Sequence, residues 1–487
     1  MKILPEKTAE MSRLAQKIRE HNEKAVGETG QPLTACVKTF GCQMNEHDSE
    51  KLKGMLKQMG YDIVPDYSIT NFTLIPDVIV FNTCCVRENA EDKIFGQLGA
   101  VKGAKRIKPE LIVAVCGCMT EQEWVVERIK KSYRHVDIVM GTGNTYRLPE
   151  YMAARIFDRR RMIGAEPEDS LPEGVPVSRD EKFKAYVTVM YGCDNFCSYC
   201  IVPYVRGRER SRLPDDIVKE VKELADGGTK EVMLLGQNVN SYGKGAEGDG
   251  TDFAGLIRRI CRETDIKRIR FMTSHPKDLS PELIRAIAEE PKVCRQLHLP
   301  VQSGSTPELK RMNRKYTREQ YLELVRKVYE AVPDITLSTD IMIGFPGETE
   351  EEFEDTLSLL EEVRFDAAFT FIYSKRQGTP AAARPDQVPS DVVNRRFARL
   401  TETQNRIGRE KNEALVGKTL EVLVEGPSKT NAMRLTGRTE GNKIVNFEAD
   451  AGCDGGSSKK LPEAGNIVRV KITGAETWSL EGVYYEE

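Results

Sequence analysis

The sequence predicts an α/β protein of several domains: a doubly wound parallel sheet, then a partial (β/α)6 barrel, then a small antiparallel β-barrel. Three observations carry this. Over 33–150, continuous apolar runs alternate with helical segments, the pattern of parallel strands buried on both faces. A second alternation, with six strand–helix units, fills 182–410. Beyond 411 the text changes to short alternating strands with glycine-rich turns, as in small β-barrels. A chain of 487 residues also exceeds one ordinary core, and its length asks for about three domains.

Residues 1–32 are polar and helix-prone and read as a peripheral extension with no role assigned. LTACVKTF (33–40) is the first strand, followed by the helical EHDSEKLKGMLKQMG. DVIVFNT (77–83), LIVAVCG (111–117) and VDIVMG (136–141) are further apolar strands, with helical text between them. The stretch 151–181 is rich in proline, glycine and charge and reads as a linker. The second series has the strands KAYVTVMYG, KEVMLLGQ, IKRIRFMTS, QLHLPVQS, ITLSTDIMIGF and DAAFTFIYS. Six such units are too few for an eight-unit barrel, so this one is open. GKTLEVLVEGP, RLTGRTEGN, KIVNFEA and GNIVRVKITGAETWSLEGVYY supply the terminal barrel, 411–487.

Composition is 39% hydrophobic and 30% charged, that of a globular protein. No apolar run reaches the roughly eighteen residues of a membrane span. MKILPEKTAEMSRLAQKIREHNEK lacks the apolar core and cleavage site of a secretory signal. A cytoplasmic location is expected, in which the twelve cysteines are thiols or metal ligands rather than disulfides. A net charge of −3 argues neither for nor against nucleic acid. There are three basic runs: Arg206, Arg208, Arg210 and Arg212; Lys310, Arg311, Arg314, Lys315 and Arg318; Arg395, Arg396, Arg399, Arg406 and Arg409. Each alone reads as a solvated helix face. Together they raise the prospect of a polyanionic partner. No G-x-x-x-x-G-K-[ST] occurs, which excludes a P-loop ATPase.

YGCDNFCSYC (191–200) places Cys193, Cys197 and Cys200 in one short loop. Clustered thiolates select soft metals, zinc or iron–sulfur. Structural zinc needs a fourth ligand, and none of the five histidines lies near. Three thiolates on a four-iron cluster leave one iron open, and an open position is where chemistry occurs. The loop follows the first barrel strand, at the end where barrel sites are built. In the N-terminal domain Cys42, Cys84 and Cys118 each follow a strand directly. Strand C-terminal ends share one edge of a doubly wound sheet, so these three are expected to converge into a second thiolate set. Cys36, Cys261 and Cys294 read as core residues, and Cys453 as incidental. Strand alternation aims Cys85 and Cys116 away from their neighbours.

A C-x3-C-x2-C loop on a partial barrel resembles the radical S-adenosylmethionine enzymes, in which the amino and carboxylate groups of S-adenosylmethionine chelate the open iron. The chain after residue 32 resembles, more specifically, the methylthiotransferases. TFGCQMN, NTCCVRENA and CGCMTEQ match that family's N-terminal cysteine motifs, and GCDNFCSYCIVPYVRGRERSR its radical loop. The C-terminal segment resembles a TRAM domain, an OB-like RNA-binding β-barrel. LLGQNVNSYG, HLPVQSGSTPELKRMNRKYTREQY, STDIMIGFPGETEEEF and FIYSKRQGTPAAA resemble the type that modifies isopentenyladenosine in tRNA (the MiaB type). Asp194-Asn195-Phe196 also occurs in the threonylcarbamoyladenosine type.

The resemblance implies two [4Fe-4S] clusters, on Cys42, Cys84 and Cys118 and on Cys193, Cys197 and Cys200. It also implies S-adenosylmethionine in two roles, radical source and methyl donor. The implied reaction removes hydrogen from adenine C2, inserts sulfur and methylates it, since an unactivated C–H bond resists acid–base chemistry. The target base is expected to be flipped or unstacked. Implied partners are a tRNA anticodon stem-loop, a flavodoxin- or ferredoxin-like electron donor and a sulfur donor, with the protein a monomer.

Gln237, Asn238, Gln302, Ser303 and Asp340, at or near strand ends, are candidates for S-adenosylmethionine or the base, with loop capping the alternative. Arg206, Arg208, Lys429, Arg434 and Arg438 are candidate RNA contacts. Tyr204 and Phe371 are candidate stacking residues, core packing being the other fate of Phe371. Three rivals remain. One is the same chemistry on threonylcarbamoyladenosine or a ribosomal protein. Another is a non-catalytic iron–sulfur RNA-binding protein. The third is a zinc deaminase, which needs an H-x-E helix that the chain lacks.

Overall fold

A computed structural model describes residues 5–65, 74–85, 88–164, 171, 173–244, 250–429, 431, 433–448 and 462–484. Cys453 lies outside them. The chain forms two compact units. The first is Met1–Asp180 with Tyr191–Asp194 and Cys200–Arg210; the second is Glu181–Met190, Asn195–Tyr199 and Ser211–Glu487. Among the described residues no helix is long and apolar enough to cross a membrane.

The first unit runs α1 (Pro5–Thr29), β1 (Thr34–Thr39), α2 (Gln43–Gln58), β2 (Asp62–Ile63), β3 (Val78–Thr83) and α3 (Glu88–Ile107). It continues through β4 (Ile112–Gly117), α4 (Glu123–Ser132), β5 (Ile138–Val139), α5 (Leu148–Phe157) and β6 (Met162–Ile163). The six strands make one sheet, ordered β2-β1-β3-β4-β5-β6, and every pairing is parallel. Every residue of β3 and β4 is buried, because helices cover both faces. Val37, Val80 and Ala114 meet α1, α2 and α5 on one face. Ile79, Phe81, Val113 and Val115 meet α3 and α4 on the other. The winding direction reverses between β1 and β3, so the switch-point crevice of such sheets lies at their C-terminal ends.

Three expectations are corrected here. The N-terminal extension is an integral helix: Ala15 and Ile18 of α1 are fully buried, and Asn22 donates to the Met59 carbonyl at 2.9 Å. The linker expected from 151 is helical as far as Phe157. Its Met162–Ile163 then pairs with β5 as an edge strand.

The chain passes through β7 (Lys184–Thr188), β8 (Met190–Tyr191), α6 (Val202–Val205) and β9 (Arg210–Ser211). The second unit continues with α7 (Pro214–Asp226), β10 (Glu231–Leu235), α8 (Phe253–Glu263), β11 (Arg268–Phe271), α9 (Pro281–Glu289) and β12 (Gln296–His298). Then come α10 (Thr306–Arg311), α11 (Arg318–Ala331), β13 (Thr336–Ile343), α12 (Glu350–Val363), β14 (Ala367–Ile372) and α13 (Ser390–Glu413). The six barrel strands are parallel and form two sheets, β11-β10-β7 and β12-β13-β14. A single bridge, Ile269 to Val293, marks the seam. Leu337, Ile341 and Ile343 turn outward into the helix-lined core, and the intervening Ser338, Asp340 and Met342 turn inward.

The terminal barrel is closed, in the order β15 (Thr419–Pro427), β16 (Arg434–Thr439), β17 (Ile444–Glu448), β19 (Ser479–Tyr484), β18 (Ile467–Ala475). It is not antiparallel throughout: β17 and β19 pair in parallel. This barrel sits at the N-terminal rim of the partial barrel. Arg268 donates to the Arg438 carbonyl at 3.0 Å and to Glu421 at 2.9 Å, and Arg270 to the Thr439 carbonyl at 2.7 Å. Lys184 pairs with Glu425. The C-terminal rim is thereby left for a site, as barrel architecture requires.

Candidate active site

The three strand-end cysteines of the first unit converge. Gly41, at φ +124°, brings the β1 turn so close to the β3 turn that a Cβ there would lie 2.5 Å from the Cβ and 2.8 Å from the Sγ of Cys84. Only glycine fits such an approach. Gly117, at φ +100°, does the same for the β4 turn, since its Cβ would lie 2.2 Å from the Thr83 carbonyl oxygen. Cys42 donates to Asn45 Oδ1 at 3.4 Å. Asn45 Nδ2 donates to Asn82 Oδ1 at 3.2 Å and to the Thr83 carbonyl at 2.9 Å. Asn82 in turn donates to the Asn45 carbonyl at 2.8 Å and to Ser49 at 3.0 Å. These buried amides lock the turns that carry Cys42, Cys84 and Cys118.

The electrostatics favour thiolate at Cys118, whereas burial pushes the Cys42 thiol up. Cys118 is buried. A hydrogen bond from Cys85, then the adjacent Arg206 guanidinium, pull its thiol down against the effect of burial. Cys85 therefore points into the site, contrary to the alternation argument: β3 ends at Thr83, and alternation ends with it. Cys116 does lie in the sheet core, where burial pushes its thiol up. Among the described residues no three His, Cys, Asp or Glu side chains close on one point as ligands to a single ion do. A polynuclear cluster does not ask this of them, because its ligands sit on different irons. The converging soft donors fit such a cluster.

The 192–200 loop carries its cysteines within a built environment. In the first unit, the Cys193 amide donates to the Gly207 carbonyl at 3.1 Å. In the second, Phe196 adopts φ +46°, and its carbonyl accepts from Asn313 at 2.8 Å. Ser198 donates to the Arg311 carbonyl at 2.9 Å. Cys197 is buried, and Arg314 Nη1 lies 3.6 Å from its sulfur. Arg314 also donates to the Pro300 carbonyl at 2.7 Å and to Tyr316 at 2.8 Å. Within the second basic run, Arg314 and the Arg311 carbonyl therefore clamp this loop, while Lys310 and Lys315 stay exposed. Most of the third is paired in place: Arg396 pairs with Glu348 at 2.7 Å, Arg399 with Glu354 at 2.6 Å and Arg409 with Glu413 at 2.9 Å.

The polar strand-end residues divide. The buried Gln237 Oε1 has no hydrogen-bond partner, and neither have both amide atoms of Asn240 nor Ser274 Oγ. These orphans sit just beyond β10 and β11 and match a polar ligand such as S-adenosylmethionine. Asn238 is instead structural, donating to Asp278 at 2.8 Å and accepting from the His275 amide at 3.2 Å. Burial, then the charges of Arg314, Lys277 and Lys244, push His275 down to about 2; it stays neutral. Gln302, at φ +72°, bridges to β13 through its backbone. Ser303 donates to Glu308 at 2.5 Å. Asp340 faces inward, 3.4 Å from His298 Nε2, and the His298 ring lies 5.7 Å edge-on from Phe369. Phe369 and Phe371, opposite Asp340 and Met342 in the β13–β14 ladder, are 50% and 41% exposed. Phe371 is thus not a core residue.

The basic candidates also divide. Arg206 is buried and is no RNA contact. Arg434 pairs with Glu481, and Arg438 with Glu425. Arg208 and Lys429 are at the surface, as is Tyr204.

Three family models match: the Radical SAM superfamily at 187–360, the Uncharacterized protein family UPF0004 at 34–141 and the TRAM domain at 413–484. Among curated proteins, a tRNA-2-methylthio-N(6)-dimethylallyladenosine synthase of Acetivibrio thermocellus is 55% identical, over 99% of this chain and 97% of its own. Proteins of the same name from Clostridium novyi and Alkaliphilus oremlandii are 54% and 49% identical, over 92% and 100% of this chain and 95% and 98% of theirs. The chain belongs to this synthase family. Among solved structures, the radical S-adenosylmethionine methyltransferase TsrM from Kitasatospora setae, with cobalamin and a [4Fe-4S] cluster bound, superposes with a TM-score of 0.52. It is 18% identical and covers 72% of this chain and 77% of its own, a likeness of fold.

Within the synthase family frame, several site residues lay beyond sequence reasoning: Asn45, Asn82, Asn240, Ser274 and Arg314. Asn240 and Ser274 follow strand ends and carried that positional signal. Arg314 carried none, because a basic run hides which member is buried.

Proposed function

We propose that this chain converts N(6)-dimethylallyladenosine in tRNA to its 2-methylthio derivative. The observation that carries the reading is the near-full-length match to synthases of that name. The family uses [4Fe-4S] clusters and S-adenosylmethionine, which together supply C–H activation at adenine C2, sulfur and a methyl group. We assign one cluster to Cys42, Cys84 and Cys118 and the other to Cys193, Cys197 and Cys200. Gln237, Asn240 and Ser274 bind S-adenosylmethionine, with Asn238, Gln302 and Ser303 shaping the loops around it. Asp340 orients the base, and Phe369 and Phe371 form the apolar wall for its dimethylallyl chain. Arg208 and Lys429 contact RNA phosphates, and Tyr204 stacks on an unpaired base. A flavodoxin- or ferredoxin-class donor supplies electrons and a separate donor supplies sulfur. The enzyme acts as a cytoplasmic monomer.

The test is anaerobic reconstitution with iron and sulfide, then incubation with S-adenosylmethionine, reductant and a dimethylallyladenosine anticodon stem-loop. Nucleoside mass is expected to rise by one methylthio group, and Cys197→Ala and Cys84→Ala each abolish the gain. 5′-Deoxyadenosine formed with unchanged RNA would sink the substrate assignment.

A further inference from the structure

The segment Cys200–Arg210 lies inside the Radical SAM match yet belongs to the compact unit of the N-terminal sheet. Its short helix α6 places Ile201 and Val205 in one buried cluster with Cys85 and Cys118. Thr142 donates to the Val205 carbonyl at 3.2 Å. The next residue, Arg206, has a side chain only 5% exposed. Its Nε donates to Cys118 Sγ at 3.1 Å. Its Nη2 donates to Asn45 Oδ1 at 3.3 Å and Asp48 Oδ2 at 3.0 Å. The charged and titratable groups around it are Cys118, Asp48 and Cys42. A guanidinium suits this place where an ammonium does not, since its planar fork serves the three acceptors at once.

We propose that Arg206 is a positioning residue that sets the electron affinity of the metal–thiolate centre on Cys42, Cys84 and Cys118. The inference rests on reading those cysteines as cluster ligands. A cluster held by thiolates becomes more negative when it takes up an electron. A buried cation in hydrogen-bond contact with a ligand sulfur stabilises the reduced form and raises the potential. Asp48 acts in the opposite sense: it anchors the guanidinium and offsets part of its charge. The protein thus balances one positive and one negative side chain against the same centre, and the two predict shifts of opposite sign.

The experiment uses the full-length protein with Cys193, Cys197 and Cys200 replaced by alanine, so that the N-terminal centre alone is loaded. After reconstitution with iron and sulfide, its reduction is titrated by electron paramagnetic resonance. Arg206→Gln is expected to lower the reduced-to-oxidised ratio at fixed potential by about tenfold, which is about 59 mV for a one-electron couple. Asp48→Asn is expected to raise that ratio, and Arg206→Lys to fall between Arg206→Gln and the parent. A global loss of fold cannot move Arg206→Gln and Asp48→Asn in opposite directions. Shifts of the same sign, or none beyond twofold with iron content unchanged, would overturn the proposal. If Arg206→Gln does not load, Arg206→Lys below the parent and Asp48→Asn above it decide the matter. Iron content in Cys42→Ala, Cys84→Ala and Cys118→Ala tests the ligand reading separately; undiminished loading there removes both.

Discussion

Gly41→Ala tests the geometry of the N-terminal thiol set most directly. The backbone at Gly41 has φ +124°, and the new methyl would sit 2.5 Å from Cys84 Cβ. Carbon–carbon contacts settle near 3.5–4.0 Å, so the two turns must separate by about 1 Å. Functional sites tolerate displacements of about 0.5 Å. The positive φ adds about 1–3 kcal/mol of backbone strain. The cost falls chiefly on the two turns, because both lie beyond the last ladder residues, Thr39 and Thr83. The expected result is a protein that folds, loads iron at Cys193, Cys197 and Cys200, and fails to load at Cys42, Cys84 and Cys118. Iron per chain falls accordingly, and the N-terminal resonance signal disappears while the other remains. Gly96→Ala in α3, where nothing lies within 4 Å of the added methyl, is the matched control and loads normally. Full loading of both centres in Gly41→Ala would refute the convergence argument.

Other outcomes follow from the same structure. Arg270→Met removes the partner of Glu231, 2.8 Å away and buried. An uncompensated buried charge costs about 3–5 kcal/mol, so chemical denaturation of the second unit shifts by that amount, and adding Glu231→Gln recovers much of it. Ile18→Ala empties a fully buried site beneath α1 and costs about 2–5 kcal/mol in the first unit's unfolding transition. Burial raises the Glu50 carboxyl from 4.5 to about 7. The folded state then keeps a proton that the unfolded chain has released, so stability is full below 4.5 and is lost as pH rises to about 7. The loss reaches up to about 3 kcal/mol, and Glu50→Gln flattens the profile. Phe371→Ala raises KM for the dimethylallyl substrate more than tenfold with kcat changed less, whereas an equal loss on the unprenylated stem-loop would refute the apolar-wall assignment.

The fold was legible where burial writes a pattern. β3 and β4 are buried throughout and apolar up to their last residues because helices cover both faces, whereas barrel strands such as β13 set apolar residues between inward polar ones. The edge strands β2 and β6 are two residues each, too short to carry a period. The parallel closure of β17 on β19 joins residues over thirty apart, and alternation reports nothing about direction. Cys42, Cys84 and Cys118 were expected together through one physical rule, that parallel strands end on a common edge. Cys85 was misaimed because a second rule, strand alternation, stops at Thr83. Arg206 and Arg314 were invisible: a basic run looks the same whether its members face water or a thiolate, and partners from distant segments decide which. Ala15 and Ile18 were hidden in a helix most of whose residues are polar.

The discontinuous make-up of the first unit has a consequence for anyone who would take the protein apart. A cut near residue 181 looks natural, since one family match ends at 141 and the next begins at 187. Such a fragment would lose Ile201, Val205 and Arg206, which pack against Cys85 and Cys118. It would carry an apolar scar and a carboxylate, Asp48, without its cation. A chimera that exchanges the N-terminal sheet between relatives must therefore carry residues 200–210 with it. The heritable module in this chain is the sheet together with a strap encoded inside its neighbour.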